Sequence, residues 1–227
     1  MKLYRFNYSP FARKVQAVLD LLGRKYDAIE VPYGDRAELA RVSGGVMVPV
    51  LVDDDGRVIR ESRAICEHLL AGEAGARLVP PPWEGPIWGY ADFCDGPLED
   101  ILFRIASPSL RGRWKTPHER AMFTFSKERK FGPGCVDAWE RDRHTLVERG
   151  RELLAPTLKT LAARPFLFGD APTLADAALY GLCAMLWEAG SGEPQRPGDE
   201  GGLLPLLAEA LVPYARRVEA QAAHAAR

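Results

Sequence analysis

Three short stretches carry residue types that could do chemistry. The first is FNYSPFARK, residues 6–14, in which Ser9 precedes Pro10. Serine supplies the N-cap oxygen of a helix and proline suits the first helical position. Ser9 is therefore either a plain cap or a hydroxyl placed at a helix N-terminus to act on something. The second is Val48-Pro49-Val50. Proline lacks a ladder donor, so within an apolar strand it belongs at an edge or at a special site such as a cis peptide. The third is Glu61-Ser62, where a strand gives way to a helix. The Ser62 hydroxyl and the first free backbone N–H groups would point at one spot, which favours a carboxylate or phosphate. Glu61 can pair with an amine, so a ligand with an amino-acid head group satisfies both. The plain alternative is a helix cap beside a solvated carboxylate.

The elements that must hold these residues are legible in order. Lys2 to Asn7 reads as a strand. Pro10 to Leu22 follows as a helix with an apolar face at Phe11, Val15, Val18, Leu19 and Leu22, stopped by Gly23. Tyr26 to Val31 alternates as a second strand, and Arg36 to Arg41 is a short helical piece. The runs VPVLV and RVIR flank Asp53–Gly56 and make a hairpin. Ser62 then caps a helix to about Leu70. This βαβαββα order predicts a compact mixed α/β domain over 1–78.

The run LVPPPWEGPIW, with prolines at 80, 81 and 82, marks a linker over 79–86. Beyond it apolar residues recur at helical spacing through Trp88–Ile105, Val136–Leu161, Leu174–Trp187 and Leu203–Val218, so 87–227 is expected to be an all-helical bundle. Thr173-Leu-Ala-Asp176 is a capping box with Asp in place of Glu, an architectural feature. Arg111–Lys130 holds seven Lys/Arg and two Glu among Trp114, Phe123 and Phe125. It reads as a solvated connection with its aromatics tucked inward, or as a contact for nucleic acid or an anionic ligand.

The totals narrow the class. The 227 residues are 47% hydrophobic, with a formal charge of −1, which argues against a nucleic-acid or anionic-membrane binder. No stretch has the length of a membrane span or the pattern of a signal peptide. Cys66, Cys94, Cys135 and Cys183 form no C-x-x-C pair, and His68, His118, His144 and His224 are equally scattered. A reduced, cytoplasmic protein without a metal site is expected.

Taken together, Ser9-Pro10 after the first strand, Val48-Pro49-Val50, Glu61-Ser62, the proline-rich linker and PFLFGDAPTLADAALY at 165–180 resemble the cytosolic glutathione transferase family across essentially the whole chain. The resemblance is to its serine-type, bacterial-like members. It implies a thioredoxin-like N-terminal domain, a helical C-terminal domain and a homodimer. It also implies glutathione as cosubstrate and a hydrophobic electrophile as the second substrate.

Carried over, Ser9 donates to the glutathione sulfur, and Val48 before a cis Pro49 pairs its backbone with the cysteinyl part. Glu61 and Ser62 hold the γ-glutamyl amine and carboxylate, and Phe11 and Arg36 complete the binding set. The position of the family's tyrosine falls on Arg5, with Tyr4 and Tyr8 out of register, and the family's catalytic cysteine is replaced by Ser9. Met47 stands where a lysine commonly helps bind the glycyl carboxylate, with Arg36 as the candidate substitute. Tyr90, Phe93 and Trp114 are candidate aromatics for the second substrate. A non-catalytic binding scaffold, or a glutathione-dependent isomerase, dehalogenase or ether-cleaving enzyme, shares these motifs.

Overall fold

The computed structural model describes residues 1–190 and 201–225, with the side chain of His224 outside the described set. The N-terminal part runs β1 (Lys2–Arg5), α1 (Pro10–Leu21), β2 (Asp27–Glu30), α2 (Ala37–Ser43), β3 (Val50–Val52), β4 (Val58–Arg60) and α3 (Ser62–Leu70). The sheet order is β2-β1-β3-β4, with β1 parallel to β2 and the remaining pairs antiparallel. Leu3 faces Ala28 on one side and Leu51 on the other, and Leu51 faces Ile59. This is the expected thioredoxin-like arrangement.

The strands are shorter than the apolar runs suggest. Pro49 cannot donate to a ladder, so β3 begins only at Val50. The hairpin turn is held by Asp53, whose Oδ1 accepts the N–H groups of Asp55 (3.0 Å) and Arg57 (2.9 Å). Gly56 supplies the left-handed residue there, at φ 79°.

The helical part contains α4 (Glu73–Ala76), a 3-10 turn at Pro81–Trp83, α5 (Glu84–Phe93), a π turn at Cys94–Leu98 and α6 (Glu99–Arg113). There follow α7 (Pro117–Phe131), α8 (Cys135–Arg141), α9 (Arg143–Ala163), α10 (Leu174–Gly190), a 3-10 turn at Leu204–Leu206 and α11 (Leu211–Ala225). Helix α5 starts inside the expected linker: the run of three prolines ends at Pro82, and Pro86 falls in the first turn of the helix, where its missing N–H breaks no intrahelical bond. The expected helix over 88–105 is interrupted by the π turn around Pro97, whose missing N–H breaks the regular ladder. The expected helix over 136–161 is broken at Asp142.

The basic stretch is a helix rather than a connection. Thr116 and Glu119 form a reciprocal capping box that starts α7, with Pro117 at its first position. Phe123 is fully buried and Trp114 half-buried, as the inward reading requires, whereas Phe125 is exposed. Arg111 pairs with Asp137 at 2.5 Å, and Arg113 with Glu188 at 2.6 Å.

Helix α1 joins the two halves. Val15, Val18 and Leu19 are buried, and α10, buried on every face from Leu174 to Ala189, packs across α1. The crossing needs Gly181, since a Cβ there would stand 2.4 Å from the Pro10 carbonyl oxygen. An ion pair between the buried Lys14 of α1 and the half-buried Asp95 of the π turn links the two halves as well.

Candidate active site

Ser9 is delivered by the turn that leaves β1. Its N–H donates to the Phe6 carbonyl at 2.9 Å, its backbone is extended (φ −75°, ψ 117°), and its carbonyl begins α1 by accepting from Arg13 at 2.9 Å. The Oγ accepts from the Ala12 N–H at 3.4 Å, so Ser9 is the N-cap of α1. Accepting one hydrogen bond leaves the hydroxyl proton free to be donated. Cap and donor are therefore compatible roles of one atom. The residue is 7% exposed.

The turn carrying Ser9 is tied to both domains through Asn7. The Asn7 N–H donates to Glu30 at 2.8 Å and its Nδ2 to Glu188 of α10 at 2.6 Å, while its Oδ1 accepts from Arg13 at 3.4 Å. Arg113 of α6 grips both the carboxylate and the carbonyl of Glu188, and Arg13 reaches the Tyr180 hydroxyl at 2.9 Å. Nothing in the local sequence signals this network, because Asn7 and Glu188 lie 181 residues apart.

Arg5 bonds to Gln16 and lies 3.6 Å from Glu30, so its side chain is engaged in the fold. Tyr8 stacks on Phe6 with ring centroids 5.5 Å apart and meets Trp114 edge-on at 5.8 Å. Burial pushes the Tyr8 phenol well above its ordinary range, which keeps it protonated.

Across the sheet, the Val48–Pro49 peptide bond is cis. Val48, Pro49 and Glu61 line one pocket of about 510 Å³, between the 45–49 loop and β4. Glu61, not Ser62, occupies the N-cap position of α3, with φ 68°; Ser62 is the first helical residue and is buried. This corrects the reading of Ser62 as the cap. A left-handed conformation in a non-glycine residue costs of order ~1 kcal/mol and concentrates at functional sites. The Glu61 side chain is exposed, whereas Ser62 is buried and is not among the residues that line this pocket.

Ser9, Phe11 and Arg36 lie outside this pocket. Arg36 nevertheless reaches its rim by donating to the Val46 carbonyl at 3.0 Å. The Phe11 ring is 6.0 Å from the Lys14 ammonium. Of the candidate aromatics, Trp114 stacks on Tyr33 at 4.3 Å beside the Ser9 turn. Tyr90 shares a 2.7 Å hydrogen bond with Thr157 and packs on Phe93.

The cysteines have no part in this geometry. All four are buried, and burial pushes the thiols up, Cys66 to about 11 and Cys183 to about 12. A disulfide reagent such as DTNB at pH 7.5 is expected to titrate none of them within minutes in the native protein, and all four after denaturation. Rapid native modification would reveal an accessible thiolate that burial does not allow.

Family comparison agrees with this architecture. Residues 3–77 match the glutathione S-transferase N-terminal domain and residues 145–216 the C-terminal domain. Mouse (Mus musculus) glutathione S-transferase omega-1 is 24% identical over 177 residues, covering 78% of this chain but only 62% of that protein. The chain thus aligns with less than two thirds of this relative's length. Among solved structures, glutathione transferase GSTFuA3 from Phanerochaete chrysosporium superposes with a TM-score of 0.76 at 20% identity, covering 97% of this chain and 96% of that one. Glutaredoxin 2 from Salmonella typhimurium, solved in complex with glutathione, gives 0.67 at 20% identity over 99% and 97%. These two likenesses bear on fold alone. With the two domains of one family matched in order on the thioredoxin-like and helical parts, this chain belongs to the glutathione S-transferase family.

Proposed function

We propose that the protein binds glutathione and transfers it to an electrophilic, largely apolar small molecule, with Ser9 as the donor that stabilises the glutathione thiolate. The observation that carries this reading is the Ser9 hydroxyl at the N-terminus of α1, with a proton free to donate. The nucleophile is the cosubstrate's sulfur, not a protein side chain. Val48 offers main-chain groups that extend the sheet by one strand for the cysteinyl unit. Glu61 takes the γ-glutamyl amine, and Ser62 with the first N–H groups of α3 takes its carboxylate. Arg36, already bonded to the Val46 carbonyl, takes the glycyl end in place of the lysine that Met47 replaces. Phe11, two residues from Ser9, supplies an apolar flank. A cytoplasmic homodimer completes the proposal.

Among the described residues no helix is long and apolar enough to cross a membrane. One observation favours a second reading, a glutathione-binding scaffold without turnover. Met47 is 70% exposed at a place where the family's charge is missing. Retention on immobilised glutathione, followed by a conjugation assay with an aryl halide, separates the two. Binding with turnover supports the transferase, binding without turnover supports the scaffold, and no binding at millimolar glutathione removes both.

A further inference from the structure

We propose that Asn7 and Glu188 are positioning residues for the transfer reaction: a carboxylate of the helical domain holds the turn that carries Ser9. This rests on the reading of Ser9 as the donor to the glutathione thiolate. Ser9 closes a β-turn by donating its N–H to the Phe6 carbonyl at 2.9 Å, so Asn7 and Tyr8 are the corner residues of that turn. The Ser9 hydroxyl is held only loosely by its own helix, because the cap bond from the Ala12 N–H is 3.4 Å long. The place of its oxygen is set mainly by the turn.

Asn7 is gripped from both domains. Its N–H donates to Glu30 of β2 at 2.8 Å, and its Nδ2 donates to Oε1 of Glu188 on α10 at 2.6 Å. Its Oδ1 accepts from Arg13 of α1 at 3.4 Å. These partners fix which way the amide faces, since a carboxylate paired with arginine only accepts. Glu188 is fixed in turn by Arg113 at the end of α6, which donates to its Oε2 at 2.6 Å and to its carbonyl at 2.8 Å. One carboxylate oxygen thus serves the helical domain and the other serves the Ser9 turn.

Stability alone is a weak reason for a glutamate here. Glu188 is 4% exposed and lies in the last turn of α10, where the helix dipole disfavours negative charge. Apolar residues of similar volume often match a buried ion pair in stability. What a carboxylate between two donors adds is direction. A displacement of about 1 Å at a reacting group costs about a hundred-fold in rate, so a hydroxyl with a long cap bond needs a turn fixed from outside its own helix.

The test uses the full chain with Asn7→Ala, which keeps the ion pair between Arg113 and Glu188, and with Glu188→Gln, whose amide offers an acceptor to only one of its two sides. Ser9→Ala and Ser9→Ala/Asn7→Ala complete a cycle. If Asn7→Ala fails to fold, Asn7→Ser, whose side chain stops short of Glu188, takes its place. Melting temperature, glutathione dissociation constant and the pH–rate profile with an aryl halide are measured for each. Asn7→Ala is expected to keep glutathione affinity within about two-fold and to lower kcat about ten-fold at pH 7. Its profile moves toward higher pH, as that of Ser9→Ala does, because a misplaced hydroxyl no longer stabilises the thiolate. Glu188→Gln moves rate and profile in the same direction. On the Ser9→Ala background, Asn7→Ala changes the rate by less than about two-fold, since no hydroxyl is left to place. A native rate with an unmoved profile in Asn7→Ala overturns the positioning role and leaves that of Ser9 standing. A further loss of about ten-fold on the Ser9→Ala background also overturns it, because a general weakening of the fold multiplies where a shared path converges. An unmoved profile in Ser9→Ala itself, or a native chain without turnover, overturns the reading of Ser9 and this inference with it.

Discussion

Ser9→Ala is expected to bind glutathione within a few-fold of the native protein while turnover at pH 7 falls about 10- to 100-fold. A thiol ionises near pH ~8.5, and each unit of depression requires about 1.4 kcal/mol of preferential stabilisation of the thiolate. A hydrogen bond to a charged acceptor supplies about 1.5–3 kcal/mol, and the helix N-terminus about 0.3–1 kcal/mol more. Together these depress the thiol by roughly two units, enough for substantial ionisation at neutral pH without a general base. Alanine removes the hydroxyl term and keeps the helix dipole. The thiol pKa in the complex therefore rises by about one to two units, and the rate returns toward native at high pH. A pH–rate profile of kcat/KM that does not move in Ser9→Ala would falsify the role given to the hydroxyl. Losing the cap bond is a separate and smaller effect. At 3.4 Å it is long, so its contribution belongs at the low end of the roughly 0.5–2 kcal/mol range for N-caps. Ser9→Thr keeps both functions and serves as the matched control.

The N-terminal domain was legible because its signals are local. The Asp53–Gly56 turn fixes the hairpin, and Ser9-Pro10 fixes the start of α1 within the residues that form them. The same holds for Thr173 and Asp176, read as an architectural box. The carboxylate does reach back to the Thr173 N–H, although the Thr173 hydroxyl donates to that carboxylate instead of accepting from the Asp176 N–H.

What sequence reading missed depends on tertiary contacts. The left-handed Glu61 has no signal in its residue type, since glutamate is not a residue that prefers positive φ. The bond between Asn7 and Glu188 closes only when α10 docks on α1. Helix α7 was hidden by the charge of 111–130. Its apolar anchor is a single fully buried residue, Phe123, so periodicity gives almost no amphipathic face, although Thr116-Pro117 with Glu119 was a usable start signal.

Asp176→Ala is expected to destabilise the fold by about 3–5 kcal/mol, the range for breaking a buried charged network by removing one partner. Asp176 is fully buried near the start of α10. Its Oδ1 accepts from the Leu167 N–H and the Tyr214 hydroxyl, both at 3.0 Å, and its Oδ2 from the Thr173 N–H at 2.9 Å and hydroxyl at 3.0 Å. The single carboxylate thus ties the 167 loop, the start of α10 and the packing face of α11 together. Alanine leaves those four donors facing an apolar methyl, and unsatisfied buried donors cost about 1–3 kcal/mol each before relaxation. For a chain of this size the loss corresponds to roughly 6–20 °C in melting temperature. Asn rescues it only in part, because whichever way it turns its amide NH2 faces a backbone N–H, of Leu167 or of Thr173, while the neighbouring hydroxyl can turn to accept. A calorimetric melting temperature within about 2 °C of native would show that the network is dispensable. Turnover per folded molecule below the transition should be near native, since Asp176 makes no contact with Ser9, Val48 or Glu61 in its bonding network. Ser9→Ala has the opposite signature, a large loss of rate on a nearly native melting curve. Because α10 packs on the helix that Ser9 begins, a coupled loss of rate in Asp176→Ala at low temperature would mean that this buried carboxylate also sets the position of the α1 N-terminus.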